Sequence, residues 1–192
     1  MHVQLLSPQD ISSGDLQKYD VILLGVRAYT ARPELVTNHN RLLEYVHNGG
    51  VVVVQYQSVQ YDHNFGPYPY VMTGDPEEVT DEKSVVTILD PKDPLLTWPN
   101  AITPKDFDDW IEERGSKFLS SWDARYKPLL ETHDDGQPPQ KGGLVYARYG
   151  KGIYIYNAYA FYRQLPLGVP GAYRIFANLL SLPKNPQFHA AK

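Results

Sequence analysis

Residue types suited to gripping a ligand gather after three apolar runs. Arg27 and Tyr29 follow residues 20–26. Gln55, Tyr56 and Gln57 follow residues 51–54. Asn157 and Tyr159 follow residues 153–156, with Arg163 and Gln164 in the loop beyond. Ligands of open α/β sheets sit at the carboxyl ends of the strands. That rule makes Arg27, Tyr29, Gln55, Tyr56, Asn157, Tyr159, Arg163 and Gln164 the candidate ligand-binding set. Their amide and guanidinium groups would orient a ligand by hydrogen bonds, and the phenol rings of Tyr29 and Tyr159 would stack on it. None is an obvious nucleophile or base, so no catalytic residue is assigned.

Other chemistries find little footing. The chain has no cysteine, which removes disulfides, thiolate nucleophiles and cysteine-ligated zinc together. Its six histidines are scattered, without a His-x-x-His or His-Glu-x-x-His spacing. Ser120-Ser121 lacks the glycines of a nucleophile elbow, and Gly150-Lys151-Gly152 reads as a hairpin turn, not a phosphate cradle. His133-Asp134-Asp135 is the most metal-like run. Adjacent residues in a Gly- and Pro-rich loop rarely converge on one ion, so neither metal nor cofactor is expected. Asp106, Asp108, Asp109, Glu112 and Glu113 read as the solvated face of a short helix. Asp62, Asp123 and Asp134, in loop or strand-end settings, keep a carboxylate-dependent hydrolase as an alternative. That reading needs two carboxylates across one cleft, within ~10 Å.

The elements that must position these residues follow from periodicity. Residues 20–26 and 51–56 are continuous apolar runs of the kind buried on both faces of a parallel sheet. Between them Pro33 opens a helix with Leu35, Leu42, Leu43 and Val46 as its apolar stripe, ended by Gly49-Gly50. Strand, helix, strand is a right-handed βαβ unit. Residues 2–6 read as a short strand. Residues 58–103 read as a loop-rich insertion with a β-like stretch at 84–89. Thr103-Pro104 starts a short helix with Phe107, Trp110, Ile111 and Arg114 on one face, stopped by Gly115. Residues 118–122 form a further strand, and 144–149 with 153–157 a late β-hairpin. Pro170-Gly171 opens the last helix, and residues 183–192 are a flexible tail.

The chain's 192 residues suit one domain with room for insertions. No apolar run approaches the ~20 residues of a membrane span, and the first residues lack the pattern of a signal peptide. The net charge of −4 offers no broad basic field, so neither nucleic acid nor membrane is an expected partner. The charge is unevenly spread: residues 141–192 carry seven Lys and Arg residues and no acidic residue. Either these charges balance across the fold or they make a basic patch. Of the 15 tyrosines, seven lie between Tyr146 and Tyr173. They line a wet binding face, serve as an interface over residues 146–163 in a structural oligomerisation module, or form cross-strand pairs.

A family resemblance spans nearly the whole chain in order. It is carried by the run Tyr19-Asp20-Val21-Ile22-Leu23-Leu24-Gly25-Val26-Arg27-Ala28-Tyr29, and by Asn40-Arg41-Leu42-Leu43-Glu44-Tyr45-Val46 with Gly49-Gly50 and Gln55-Tyr56. Further along come Phe65-Gly66-Pro67-Tyr68-Pro69-Tyr70, Thr80-Asp81-Glu82, Pro99-Asn100-Ala101-Ile102, Asp106-Phe107-Asp108-Asp109-Trp110, Glu113-Arg114-Gly115 and Trp122-Asp123. The last segments are Phe161-Tyr162-Arg163-Gln164-Leu165-Pro166 and Gly168-Val169-Pro170-Gly171-Ala172-Tyr173-Arg174. Together they resemble the C-terminal domain of bacterial PIG-L/LmbE-type deacetylase-like proteins, which is similar to class I glutamine amidotransferases and the ThuA-like group.

The resemblance implies an α/β fold, a flavodoxin-like three-layer α/β/α sandwich with a mainly parallel sheet, over a single domain at residues 1–182. Where amidotransferases carry their nucleophilic cysteine this chain has Gln55-Tyr56. Where they carry the histidine it has Asn157-Ala158-Tyr159. The family pattern also begins with a strand and a glycine-rich turn ahead of Val3, and this chain is expected to start after them. An open sheet edge would remain, inviting self-association into a homo-oligomer. The implied role is a non-catalytic binding or accessory domain of a soluble bacterial protein, taking a small polar or carbohydrate-like ligand or docking a PIG-L/LmbE-type deacetylase domain.

Overall fold

Four consecutive valines, residues 51–54, favour a pleated strand with both faces covered. The computed structural model describes residues 2–74 and 77–189. Its main sheet has five strands: β1 (Val21–Leu24), β2 (Val51–Gln55), β3 (Tyr126–Pro128), β4 (Leu144–Tyr149) and β5 (Gly152–Asn157). Their spatial order is β1-β2-β5-β4-β3. β2 runs parallel to β1, with Val51 opposite Val21, and parallel to β5, with Val51 opposite Ile153. β4 and β3 extend the sheet antiparallel. The result is a mixed α/β fold whose parallel strands hold the buried valines.

Three helices matter to the argument: α1 (Pro8–Ser13), α2 (His39–His47) and α3 (Pro170–Ser181). α2 lies against β2, β5 and β4. Gly49, at φ 117°, ends the connection in a conformation that side chains resist. A Cβ on Gly50 would sit 2.2 Å from the Tyr45 ring, so the helix can meet β2 closely only with glycine there. The helix expected from Pro33 to Val46 is two helices, Pro33–Thr37 and α2. Asn38 separates them, its backbone N–H (3.0 Å) and its side-chain amide (2.8 Å) both donating to the Glu34 carbonyl and capping the first helix.

Other expectations change for equally local reasons. The helix from Pro104 ends at Phe107. Trp110 Nε1 takes the Asp106 carbonyl (2.9 Å) and Arg114 takes the Phe107 carbonyl (2.5 Å), so side chains engage the two carbonyls that a further turn would use. The 84–89 and 118–122 stretches contribute only Thr87–Ile88 and Ser121–Trp122. These join two-stranded ladders with Leu130–Glu131 and Tyr70–Val71, and a third ladder pairs Glu78–Val79 with Gly115–Ser116. Residues 2–6, read as a strand, form no ladder.

Of the expected tail, residues 183–184 and 186–189 lie in the short helices Leu182–Lys184 and Pro186–His189, and residues 190–192 lie outside the described residues. Phe188 is buried, and the amide of buried Asn185 donates to the Pro94 carbonyl at 3.1 Å. No helix among the described residues is long and apolar enough to cross a membrane.

Three of the seven Lys and Arg residues of 141–192 pair with acids across the fold. Lys141 meets Glu131 (3.2 Å), Arg163 meets Glu112 (3.1 Å) and Arg174 meets Asp106 (2.7 Å). The tyrosines likewise turn inward. Tyr154, Tyr156 and Tyr159 are fully buried, so the Tyr146–Tyr173 run is not a continuous exposed face. Tyr154 and Tyr61 share a 2.6 Å hydrogen bond between their hydroxyls.

Candidate functional site

The carboxyl ends of β1 and β2 bring together two of the expected residues. After β1 the chain turns at Arg27, whose backbone is left-handed (φ 54°). Its N–H donates to the Tyr56 carbonyl at 2.9 Å, tying the turn to the end of β2. The Arg27 guanidinium donates to Tyr56 Oη (3.3 Å) and lies 5.5 Å from the ring centroid. The side chain is exposed while Tyr56 is mostly covered. A bulky residue at positive φ costs about 1–3 kcal/mol, a feature that clusters at binding sites.

Tyr162 continues the platform. Its ring centroid lies 5.6 Å from that of Tyr56, tilted by 46°. The Tyr162 hydroxyl donates to Glu113 at 2.7 Å. Burial, reinforced by that carboxylate, pushes the phenol above its ordinary value, so it stays a neutral donor. Arg163 stacks near the Tyr162 ring and pairs with both Glu112 (3.1 Å) and Glu113 (3.4 Å). Glu112 also has a left-handed backbone, at φ 63°. Among the described residues Arg27 has no carboxylate partner, so the two guanidinium groups differ: Arg163 is neutralised, Arg27 is not.

Four expected residues serve the scaffold instead. Tyr29 is buried, stacked 4.6 Å from Phe65, with its N–H bound by Gln57 Oε1 (3.1 Å). Tyr159 is enclosed by Phe107, Trp110 and Phe118. Neither ring is free to stack on a ligand. Gln164 is buried and clamps Ile111 from both ends, accepting from its N–H (3.0 Å) and donating to its carbonyl (2.9 Å). Asn157 is buried; its amide donates to the Tyr159 carbonyl (3.2 Å), and its Oδ1 meets no protein donor among the described residues. Gln55 is half-buried at the end of β2.

The acidic residues face the same test. Asp62 accepts from the Met72 N–H (2.6 Å) and the Thr73 hydroxyl (3.2 Å). Asp123 is bound by Arg125 at 2.8 Å, which holds its carboxyl down at about 2. Asp134 accepts from the N–H and hydroxyl of Thr80 (both 2.9 Å), the Asp81 N–H (3.0 Å) and the Ser84 hydroxyl (3.1 Å). A glycosidase acid needs a raised pKa, and Asp123 and Asp134 are lowered. For Asp134, burial works upward, but the Thr80, Asp81 and Ser84 bonds outweigh it. Its stabilising contribution is therefore complete above the ordinary carboxylate value of 3.8 and is lost as pH falls through the lowered one. Acid titration followed by circular dichroism should show Asp134→Asn with a shallower stability loss below pH ~4 than the parent.

Neither a protein-family model nor a curated protein matches this sequence. Solved structures do match. The cytoplasmic protein STM3548 from Salmonella typhimurium aligns at a TM-score of 0.57 and 15% identity, over 87% of this chain and 72% of its own. The cytoplasmic protein STM1381 from Salmonella typhimurium LT2 aligns at 0.54 and 16%, over 87% and 73%. A cold-adapted beta-galactosidase from Rahnella sp. R3 aligns at 0.46 and 20%, over 90% of this chain and 24% of its own. The two Salmonella proteins share the α/β fold; at these identities the likeness extends to the fold alone.

Sequence reasoning missed Tyr162, Glu112 and Glu113. Tyr162 sits between residues already singled out, and its signal was that adjacency. The glutamates read as a solvated helix face only if the helix runs on to Arg114, and it ends at Phe107. Once it ends at Phe107, the chain turns at Glu112 and presents both carboxylates to Arg163.

A cleft of about 170 Å³ lies elsewhere, where Gly14, Asp15 and Gln17 face Arg41, Glu44 and Tyr45. Arg41 spends its guanidinium there on the Ile11 and Gly14 carbonyls.

Proposed function

We propose that this chain is a non-catalytic, amidotransferase-like domain of flavodoxin-like, three-layer topology. It binds a small polar or carbohydrate-like ligand at the strand-end rim, in the service of a PIG-L/LmbE-type deacetylase domain. One observation carries the reading. The place where an amidotransferase-like chain would hold its nucleophile is occupied by Gln55-Tyr56, with an exposed, uncompensated Arg27 laid beside the Tyr56 ring. A guanidinium next to two tilted phenol rings suits a ligand with an apolar ring face and hydroxyl or anionic edges.

The carboxylate-hydrolase alternative has less support, because Asp62, Asp123 and Asp134 are each engaged in structural hydrogen bonds or ion pairs. Titration calorimetry against a panel of neutral and acidic saccharides tests the reading. Arg27→Ala is expected to weaken binding at least ~10-fold, the loss of one charge-assisted hydrogen bond. Asp62→Asn should leave affinity unchanged. Binding indifferent to both Arg27→Ala and Arg163→Ala would remove the site.

A further inference from the structure

The two edges of the main sheet are built differently. β3, on one side, contains Lys127 and Pro128. A charge and a missing N–H donor are devices that block strand addition, and Lys127 is fixed there by Asp90 and Asp93, each at 2.6 Å. β1, on the other side, reads Val21-Ile22-Leu23-Leu24, with neither proline nor charge, and Leu23 is 40% exposed. β1 pairs with β2 alone, and among the described residues no other backbone bond reaches Val21–Leu24. A strand bonded on one side directs half of its N–H and C=O groups outward.

The same chain carries the complement. Residues 2–5 alternate polar and apolar, the pattern of a strand, yet residues 2–6 belong to no ladder or helix. Val3 is 75% and Leu5 is 89% exposed. The segment is anchored at its end, where Arg32 donates to the Leu6 carbonyl at 2.8 Å. An unprotected four-residue edge and an unused five-residue strand are matched in length and in apolar character.

We propose that a second copy of this chain completes the sheet, with residues 2–6 of each copy adding to the outer edge of β1 of the other. The exchange is reciprocal, as a two-fold dimer requires. Main-chain hydrogen bonds supply the affinity, and Val3, Leu5 and Leu23 leave water together. The proposal is independent of the ligand reading, since it uses none of the rim residues.

Sedimentation velocity over a concentration series is expected to show a dimer. Leu23→Lys, which places a charge at the edge, should raise its dissociation constant at least ~10-fold. The double change Val3→Asp with Leu5→Asp should do the same, at positions so exposed that folding is barely touched. Amide exchange of β1 should slow as protein concentration rises. A monomer throughout the series overturns the proposal. So does a dimer indifferent to Leu23→Lys, whose contact lies elsewhere, or one indifferent to the Val3 and Leu5 changes, in which two β1 edges or another face pair directly. Should Leu23→Lys fail to fold, the Val3 and Leu5 variant decides alone.

Discussion

Tyr61→Ala is expected to lower the unfolding free energy by about 4–5 kcal/mol, the upper range for emptying a buried aromatic site. Tyr61 is buried in the short helix Val59–His63, and it is where the loop-rich insertion grips the sheet. Its ring stacks 5.1 Å from Tyr70 and 5.3 Å from Tyr156, and lies 5.5 Å from Tyr29. Its hydroxyl meets that of Tyr154 on β5, and its carbonyl accepts from Tyr70 at 2.5 Å. Burial pushes both the Tyr61 and Tyr154 phenols well above their ordinary value, so the pair stays neutral and hydrogen-bonded across any accessible pH. Truncation to alanine leaves three aromatic neighbours facing a void, and close-packed rings relax only partly. Tyr61→Phe keeps the stack and removes one hydroxyl. Tyr154 Oη retains the Phe65 carbonyl at 3.3 Å, so the cost should be about 1 kcal/mol. Urea unfolding of the two variants separates packing from hydrogen bonding. Equal losses would assign the energy to the hydroxyl and defeat the packing argument.

How much of this was legible depends on the length scale of each signal. β1, β2, the late hairpin and α3 were readable because each repeats its pattern over four or more residues. The ladders at Tyr70–Val71, Glu78–Val79 and Thr87–Ile88 are two residues long. A period of two cannot show itself in two residues, so that region read as loop. α1 carries its own start signal: Ser7 and Asp10 form a capping box, with Asp10 N–H donating to Ser7 Oγ at 3.1 Å and Ser7 N–H to Asp10 Oδ2 at 2.9 Å.

The candidate site divides in the same way. The strand-end rule singles out Arg27 and Tyr56, whose side chains meet in the structure. It could not tell that Tyr29 and Tyr159 point into the core, since tyrosine suits both a wet rim and a dry stack. It also could not tell that Gln164 is consumed by Ile111, because a glutamine clamping a loop backbone leaves no local sequence pattern. Whether a polar side chain is free for a ligand depends on contacts 50 or so residues away, as with the 53-residue separation of Gln164 and Ile111.

A second buried amide makes the complementary case, with the other large expected effect. Asn178 on α3 is fully buried and uses every hydrogen-bonding group it has. Its Oδ1 accepts from the Asn100 N–H (2.9 Å) and the Asn100 side-chain amide (3.0 Å). Its Nδ2 donates to the carbonyls of Leu95 (2.9 Å) and Asn100 (2.8 Å). Asn178→Ala strands three backbone groups of the 95–100 loop, each worth about 1–3 kcal/mol when left unsatisfied. Partial relaxation brings the expected total to about 3–4 kcal/mol in urea unfolding. Asn178→Asp sharpens the test. An ionised carboxylate would face two carbonyls it cannot bond, and burial also disfavours its charge, so its folded pKa must lie above the unfolded value near 3.9. A raised folded pKa places the stability below the unfolded pKa and removes it as pH rises through the folded one. The aspartate variant should therefore be more stable near pH 3.5 than near pH 7, relative to the parent. If the difference between variant and parent is flat in pH, the clamp is not the origin of the loss. The same loop passes through Ala101, held by Arg174 at 2.8 Å, to Ile111 and the rim glutamates. Loosening it should weaken ligand binding at Arg27 far less than it weakens folding, because Arg27 is anchored to Tyr56 and not to this loop.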